Sequence, residues 1–244
     1  MAEALFLWSR RLVPMKTIGI IGGIGPESTI DYYRSLVRLH EERSPGAGAV
    51  SIIINSIDLK HMLRLIAESR LPELVEFLSR ELHKLHASGA DFGLLAANSP
   101  HIVFDELART SPIPLISIVE ATREEACRLG LQRLGLLGAR FTMQSSFYAE
   151  VFARRQIQIF APSETEQAYI HEKYFAELVN GVFLAETREH LGKIVARMAA
   201  RDSVQAVILG GTELPLLLSG GEVAGVPLLN TTQIHVRAAL DWSS

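Results

Sequence analysis

Five short polar clusters in this chain each follow directly on an apolar run, and they hold residue types suited to chemistry. Gly22-Gly23-Ile24-Gly25-Pro26-Glu27-Ser28-Thr29 closes the first run and Asn55-Ser56-Ile57-Asp58 the second. Asn98-Ser99-Pro100-His101 closes the third, Gly138-Ala139-Arg140-Phe141-Thr142 the next and Gly210-Gly211-Thr212-Glu213 the last. Short amide and hydroxyl side chains at such places, with neighbouring backbone N–H groups, hold the polar ends of a small molecule. His101, Glu213, His235 and Asp58 are the candidate acid–base groups. A general base must stand within about 3 Å of its proton, or one water away. The glycine-rich cluster lacks the G-x-G-x-x-G spacing of a dinucleotide fingerprint and its acidic residue about 20 positions on. It reads as a tight turn at a helix N-terminus, where backbone amides hold an anion such as a carboxylate. No G-x-x-x-x-G-K-[ST] phosphate loop and no G-x-S-x-G elbow occurs. His83 and His86, beside Glu81, Arg80 and Lys84, read as a solvated helix face rather than a metal site.

The elements that must position these clusters alternate along the chain. Apolar runs at 17–21, 50–54, 91–96, 114–118, 133–137, 204–209 and 226–229 read as strands. Helices are expected at 25–43, 72–88, 120–129, 143–155, 165–180, 186–201 and 231–242, Leu74, Leu78, Leu82 and Leu85 marking one apolar face. Strands alternating with helices predict an α/β fold of parallel sheets covered on both faces, hence three layers. In such sheets ligands bind beyond the carboxyl ends of the strands, where all five clusters fall.

The pattern also repeats. Ile18-Gly19-Ile20-Ile21-Gly22-Gly23 matches Leu134-Gly135-Leu136-Leu137-Gly138-Ala139 at an offset of 116 residues. The run from Phe92 to Pro100 matches that from Ala206 to Leu214 at an offset of 114 residues. Two similar halves are therefore expected, facing each other with Ala97 and Gly211 on opposite walls of one cleft. The division expected is a first domain of residues 16–114 plus 226–244 and a second of 115–225. Residues 1–14 read as an extension ahead of Met15-Lys16.

Composition narrows the function. The 244 residues are 48% apolar and 21% charged, a globular mixture with ample core material. A net charge of −3 argues against bulk phosphate recognition on nucleic acid and against a polybasic membrane surface. No stretch approaches the ~18 apolar residues of a membrane span. Ala4-Leu5-Phe6-Leu7-Trp8 is preceded by Glu3 and followed by Arg10-Arg11, the reverse of a secretory signal. Cys127 is the single cysteine, which rules out an intrachain disulfide and fits a reducing, cytoplasmic setting. Its place inside the 120–129 helix reads as a small core residue.

Taken in order, six motifs resemble those of the aspartate/glutamate racemase family, the cofactor-independent amino-acid racemases, closest to the broad aspartate/glutamate branch. They are Gly22-Gly23-x-Gly25-Pro26-Glu27-Ser28-Thr29, Asn55-Ser56-x-Asp58, Asn98-Ser99-x-His101, Gly138-x-Arg140-x-Thr142-Met143, Gly210-x-Thr212-Glu213 and Thr232-x-Ile234-His235. The resemblance implies two pseudo-symmetric α/β domains with the active-site cleft between them, commonly in a homodimer. It implies a PLP-independent enzyme with no cofactor or metal, taking a small acidic amino acid or related carboxylic acid. It places substrate-binding roles on Gly23, Asn55, Ser56, Asn98, Ser99, Arg140, Thr142, Thr212 and His235, while Asn230 stands where the family commonly has an aspartate. In most members of the family both proton carriers are cysteines, in some the first is a threonine and only the second a thiol, and the two positions here hold Ala97 and Gly211. A methyl group and a hydrogen atom carry no proton, so two-thiol racemisation is unavailable. His101, Glu213, His235 and Asp58 are the replacement candidates, His101 and Glu213 first among them. The alternatives are a lyase or decarboxylase acting on a small carboxylic acid, with Asn98, Thr212 and backbone amides stabilising an enolate-like charge, or a non-catalytic amino-acid binder.

Overall fold

The computed structural model describes residues 15–243. The expected extension at 1–14 lies outside the described residues.

The chain opens with β1 (Ile18–Gly22), α1 (Pro26–Arg43), β2 (Ile52–Ser56), α2 (Leu59–Ala67), α3 (Leu71–Ala87) and β3 (Phe92–Leu95). A 3-10 turn at Ser99–Val103 leads into α4 (Phe104–Thr110) and β4 (Leu115–Ile116). Then come α5 (Ile118–Arg128), β5 (Arg133–Gly138), α6 (Arg140–Gln144), α7 (Phe147–Ala153), β6 (Gln158–Phe160) and α8 (Glu164–Ala176). The chain continues through α9 (Ala185–Asp202), β7 (Ala206–Gly210), α10 (Leu214–Leu217), β8 (Glu222–Val223), β9 (Val226–Asn230) and α11 (Thr231–Ser243).

Local chemistry sets several of these boundaries. Pro26 sits in the first turn of α1, where its missing N–H removes no bond. Ser117 caps α5 by accepting the Glu120 N–H at 3.2 Å, and Ser163 with Glu166 forms a capping box on α8.

Two sheets form, in the orders β2-β1-β3-β4 and β6-β5-β7-β9-β8. All pairings are parallel except the edge hairpin β8–β9. The repeat is exact in register where it matters. Ile18 pairs with Phe92, and their counterparts Leu134 and Ala206 pair likewise. The α/β, parallel-sheet architecture expected from the alternating pattern is present.

Both faces of each sheet are buried. Ile18, Ile20, Phe92 and Leu94 pack under α1 and α11, with Tyr32, Leu36, Val236 and Ala239. The opposite face, Ile21 and Leu95, packs on α2, α3 and α4. In the second sheet Leu134, Leu136, Ala206 and Ile208 pack under α5 and α7, and Leu137, Val207 and Leu209 under α8 and α9.

Here the structure corrects the expected domain limits. Residues 115–116, assigned to the second domain, form β4 and pair with β3 of the first sheet. Residues 226–230, assigned to the first, form β9 and pair with β7 of the second. Each half then sends its next helix across: α5 leaves the first sheet to cover the second, and α11 leaves the second to cover the first. The crossing starts from β4, the edge strand of the first sheet, and from β9, which lies between β7 and the short outer strand β8 in the second. The helix expected at 143–155 is split into α6 and α7, and α2, α4, β6, α10 and β8 are additional elements.

The crossing makes equivalent buried side chains carry equivalent weight. Leu36→Ala under α11 and Ile118→Ala in α5 should each destabilise by about 2–5 kcal/mol, read by urea unfolding.

Candidate functional site

The carboxyl ends of β3 and β7 meet between the halves. They bring Ala97 and Gly211 onto the walls of one cavity, together with Ile24, Gly25, Asn98, Ser99, Tyr174 and Glu213. The cavity measures about 30 Å³. That is room for one or two waters and well short of an amino acid, so a ligand enters only if the cleft widens.

Polar side chains tie the two halves together around it. Tyr148 Oη donates to Asn98 Oδ1 at 2.6 Å, and Asn98 Nδ2 donates to Thr231 Oγ1 at 3.3 Å. Ser99 and Thr142 hydroxyls lie 3.3 Å apart. Thr142 and Thr212 are fully buried beside the cavity.

The acidic corner belongs to Glu213. Its carboxyl is 1% exposed. Tyr174 Oη and Thr212 Oγ1 both donate to Oε2, the latter at 3.2 Å, while Oε1 has no partner. Burial pushes the Glu213 carboxyl above the usual carboxylate range, against the lowering effect of its hydroxyl donors. Burial and the neighbouring carboxyl push the Tyr174 phenol up. Oε1 occupies the space that a Cβ on Gly25 would fill, and Gly25 has φ 100°, a conformation suited to glycine.

Tyr174 also explains position 211. A Cβ built there would lie 2.5 Å from Tyr174 Cε2 and 3.0 Å from its Oη. The phenol ring fills the volume beside Gly211. No pattern in the sequence singles it out, because the helix around Tyr169, Ile170, Tyr174 and Phe175 reads as ordinary core packing.

Other expected site residues stand elsewhere. His101 is buried but lines a separate cavity of about 200 Å³ with Ser117, Glu120 and Arg154. Its Nε2 accepts the Ile118 N–H at 3.2 Å, so the proton sits on Nδ1, which lacks a partner. His235 is a wedge between the halves: Nε2 donates to the Ile116 carbonyl at 2.9 Å, and Nδ1 accepts from Tyr32 Oη at 2.8 Å. Neither imidazole lines the Ala97–Gly211 cavity. Asn55 donates to the Glu81 carboxylate at 2.8 Å, away from the cavity, while Ser56 and Arg140 are exposed. The Gly23 N–H is taken by Thr29 Oγ1 at 2.9 Å, so that amide is not open to an anion. Cys127 is exposed on α5 rather than in the core. Among the described residues no cluster of three potential metal ligands occurs.

The profile of the Asp/Glu/hydantoin racemase family matches residues 21–239. This chain belongs to that family. It is 26% identical over 178 residues to the broad specificity amino-acid racemase RacX of Bacillus subtilis (strain 168), covering 69% of this chain and 70% of that one. Two solved structures superpose over 94% of this chain and 99% of their own at 30% identity. They are a candidate Asp/Glu racemase of Yersinia pestis, with a TM-score of 0.84, and an aspartate racemase homologue of Pyrococcus horikoshii OT3, with a TM-score of 0.80. The two-sheet architecture of this racemase-family chain is thus that of its structural neighbours.

Two predictions follow from the packing and the charges. Gly211→Cys should cost about 1–3 kcal/mol by overpacking against Tyr174. Combined with Tyr174→Ser it should cost less than the two single changes summed, as a thermal-unfolding double-mutant cycle reads. Burial holds His101 down at about 3 and His235 at about 4, against about 6.5 in the unfolded chain. Their neutral burial therefore stabilises fully above about pH 6.5, and that contribution is lost as pH falls toward 4. Glu213 acts in the opposite sense, its contribution being lost as pH rises through its raised value. In Glu213→Gln, unfolding free energy measured in urea should fall steadily from pH 6.5 to pH 4.

Proposed function

We propose that this chain is a PLP-independent amino-acid racemase-family enzyme that takes a small acidic amino acid, without metal or cofactor, in the cleft between its halves. The observation that carries this reading is the shared cavity: Ala97 and Gly211, the two positions where the family places its thiols, face one space. Asn98 and Ser99 line the same space, and Thr142 and Thr212 are buried beside it, as ligand-holding groups. Any proton transfer there runs without sulfur, since no cysteine lines the cavity and Cys127 is exposed on a distant helix. The missing thiols favour, as a second reading, a lyase-type step on a small carboxylic acid or simple binding in the same cleft.

The setting proposed is cytoplasmic, and among the described residues no helix is long and apolar enough to cross a membrane. The proposed assembly is a homodimer. Ile30, Tyr33 and Val37, exposed along one face of α1, form an apolar stripe of the kind a subunit contact covers.

Calorimetric titration with the enantiomers of aspartate and glutamate tests the cleft, with chiral chromatography following inversion. The expected result is binding with racemisation slowed by about 10²–10⁴-fold for each missing proton carrier, relative to a two-thiol relative. Alkylating Cys127 with iodoacetamide should leave binding and any turnover unchanged. Failure of all four acids to bind, or loss of turnover on alkylation, would overturn the reading.

A further inference from the structure

The cavity is lopsided in a way that a pair of thiols would not be. On the first-half wall stands the Ala97 methyl group, which neither takes nor gives a proton. On the second-half wall the space beside Gly211 holds the Tyr174 ring, and behind it lies the Glu213 carboxyl. Tyr174 and Glu213 are the ionisable residues lining this cavity. The two nearby histidines are committed elsewhere, His235 through both ring nitrogens and His101 on a separate cavity.

The hydrogen bonds fix which carboxyl oxygen is free. Oε2 accepts from both Tyr174 and Thr212, so a proton on the neutral carboxyl belongs on Oε1. Oε1 is buried, has no partner and reaches across to the first half, where Gly25 leaves it room. A buried acid with one oxygen tethered and the other bare is built to pass a proton.

We propose that Glu213, tethered by Tyr174, carries the proton on one face of the bound amino acid while Ala97 leaves the other face without a carrier, so that the α-proton is exchanged with retention of configuration. The proposal rests on the cleft reading above and names its proton carrier. In the step, ionised Oε1 takes the α-proton, and the C–H electron pair moves into the substrate carboxylate to give an enediolate. Oε1–H exchanges its proton with solvent when the cleft widens. The same oxygen then returns a proton to the same face, the electron pair re-forms the C–H bond, and the carboxylate is restored.

The groups facing Glu213 set its pH dependence. Tyr174 and Thr212 donate to it and favour the ionised form, while burial and the Glu27 carboxylate on α1 oppose it. Tyr32, also on α1, is held by His235.

The test incubates the full chain in deuterium oxide with L- and D-aspartate and L- and D-glutamate. Proton NMR follows the α-proton, chiral chromatography the configuration and calorimetry the binding. The expected result is loss of the α-proton signal from one enantiomer with its configuration kept. Glu213→Gln, close in shape, should slow exchange by about 100-fold or more with binding retained. Tyr174→Phe keeps the ring beside Gly211 and removes one donor to the carboxylate, so the rising limb of the exchange profile should move to higher pH. Undiminished exchange in Glu213→Gln, inversion at a rate matching exchange, or an unmoved profile in Tyr174→Phe would overturn the proposal. Binding by the unaltered chain without exchange would overturn it and leave the cleft reading standing. No binding of any of the four acids would overturn both.

Discussion

Each half of this molecule is roofed by a helix that belongs, by connectivity, to the other half. An α/β sheet must bury both faces, and here part of one cover on each sheet is borrowed, α11 lying beside α1 and α5 beside α7. Helix α11 continues from β9 of the second sheet to lie over Ile18, Ile20 and Phe92 of the first, and α5 continues from β4 to lie over Leu134 and Leu136 of the second. The two borrowed helices also meet, with Arg237 of α11 3.6 Å from Glu125 of α5. Each half thus shares a core cluster with a helix that follows a strand of the other. The carboxyl ends of the two sheets are thereby held face to face, and this is what brings residues separated by more than a hundred positions to one cavity.

The buried polar groups at this junction divide into those that join and those that wait. Tyr32–His235–Ile116 and Tyr148–Asn98–Thr231 are joined end to end, and they fix how the halves abut. Burial without a charge partner keeps both histidines neutral, which suits a structural wedge and disqualifies them as resting proton donors. Glu213 lines the Ala97–Gly211 cavity itself, which His101, with its own bare Nδ1, does not. One oxygen is anchored by two hydroxyls and the other is bare, and an unsatisfied buried polar atom is costly enough that its presence asks for a reason.

Much of this was legible in the residues. Runs such as Ile18–Ile21 and Val207–Leu209 are too apolar for one-sided burial, so a parallel sheet with two covers followed directly. The internal repeat located the opposing walls at Ala97 and Gly211 because strand register preserves spacing. Other parts were hidden. Residues 115–116 are a two-residue edge strand and residues 226–230 a short strand beside β7, and nothing local to them tells which sheet they join. The family resemblance implies a ligand contact for Asn55, but a side chain at a strand end points to one face or the other, and this one meets Glu81. Tyr174 was invisible because a tyrosine on an apolar helix face is ordinary core. Only three-dimensional contact shows that its ring lies against a glycine.

That last contact constrains which substitutions the site tolerates. A ring and a side chain compete for the volume beside position 211, so the order in which they change is not free. With Tyr174 in place, a step that adds any Cβ at 211 meets the ring before it gains a function. The ring would have to shrink first, emptying a packed site with no return until the second change arrives. Glycine at 211 and tyrosine at 174 are thus coupled, and either is free to change size only when the other changes with it.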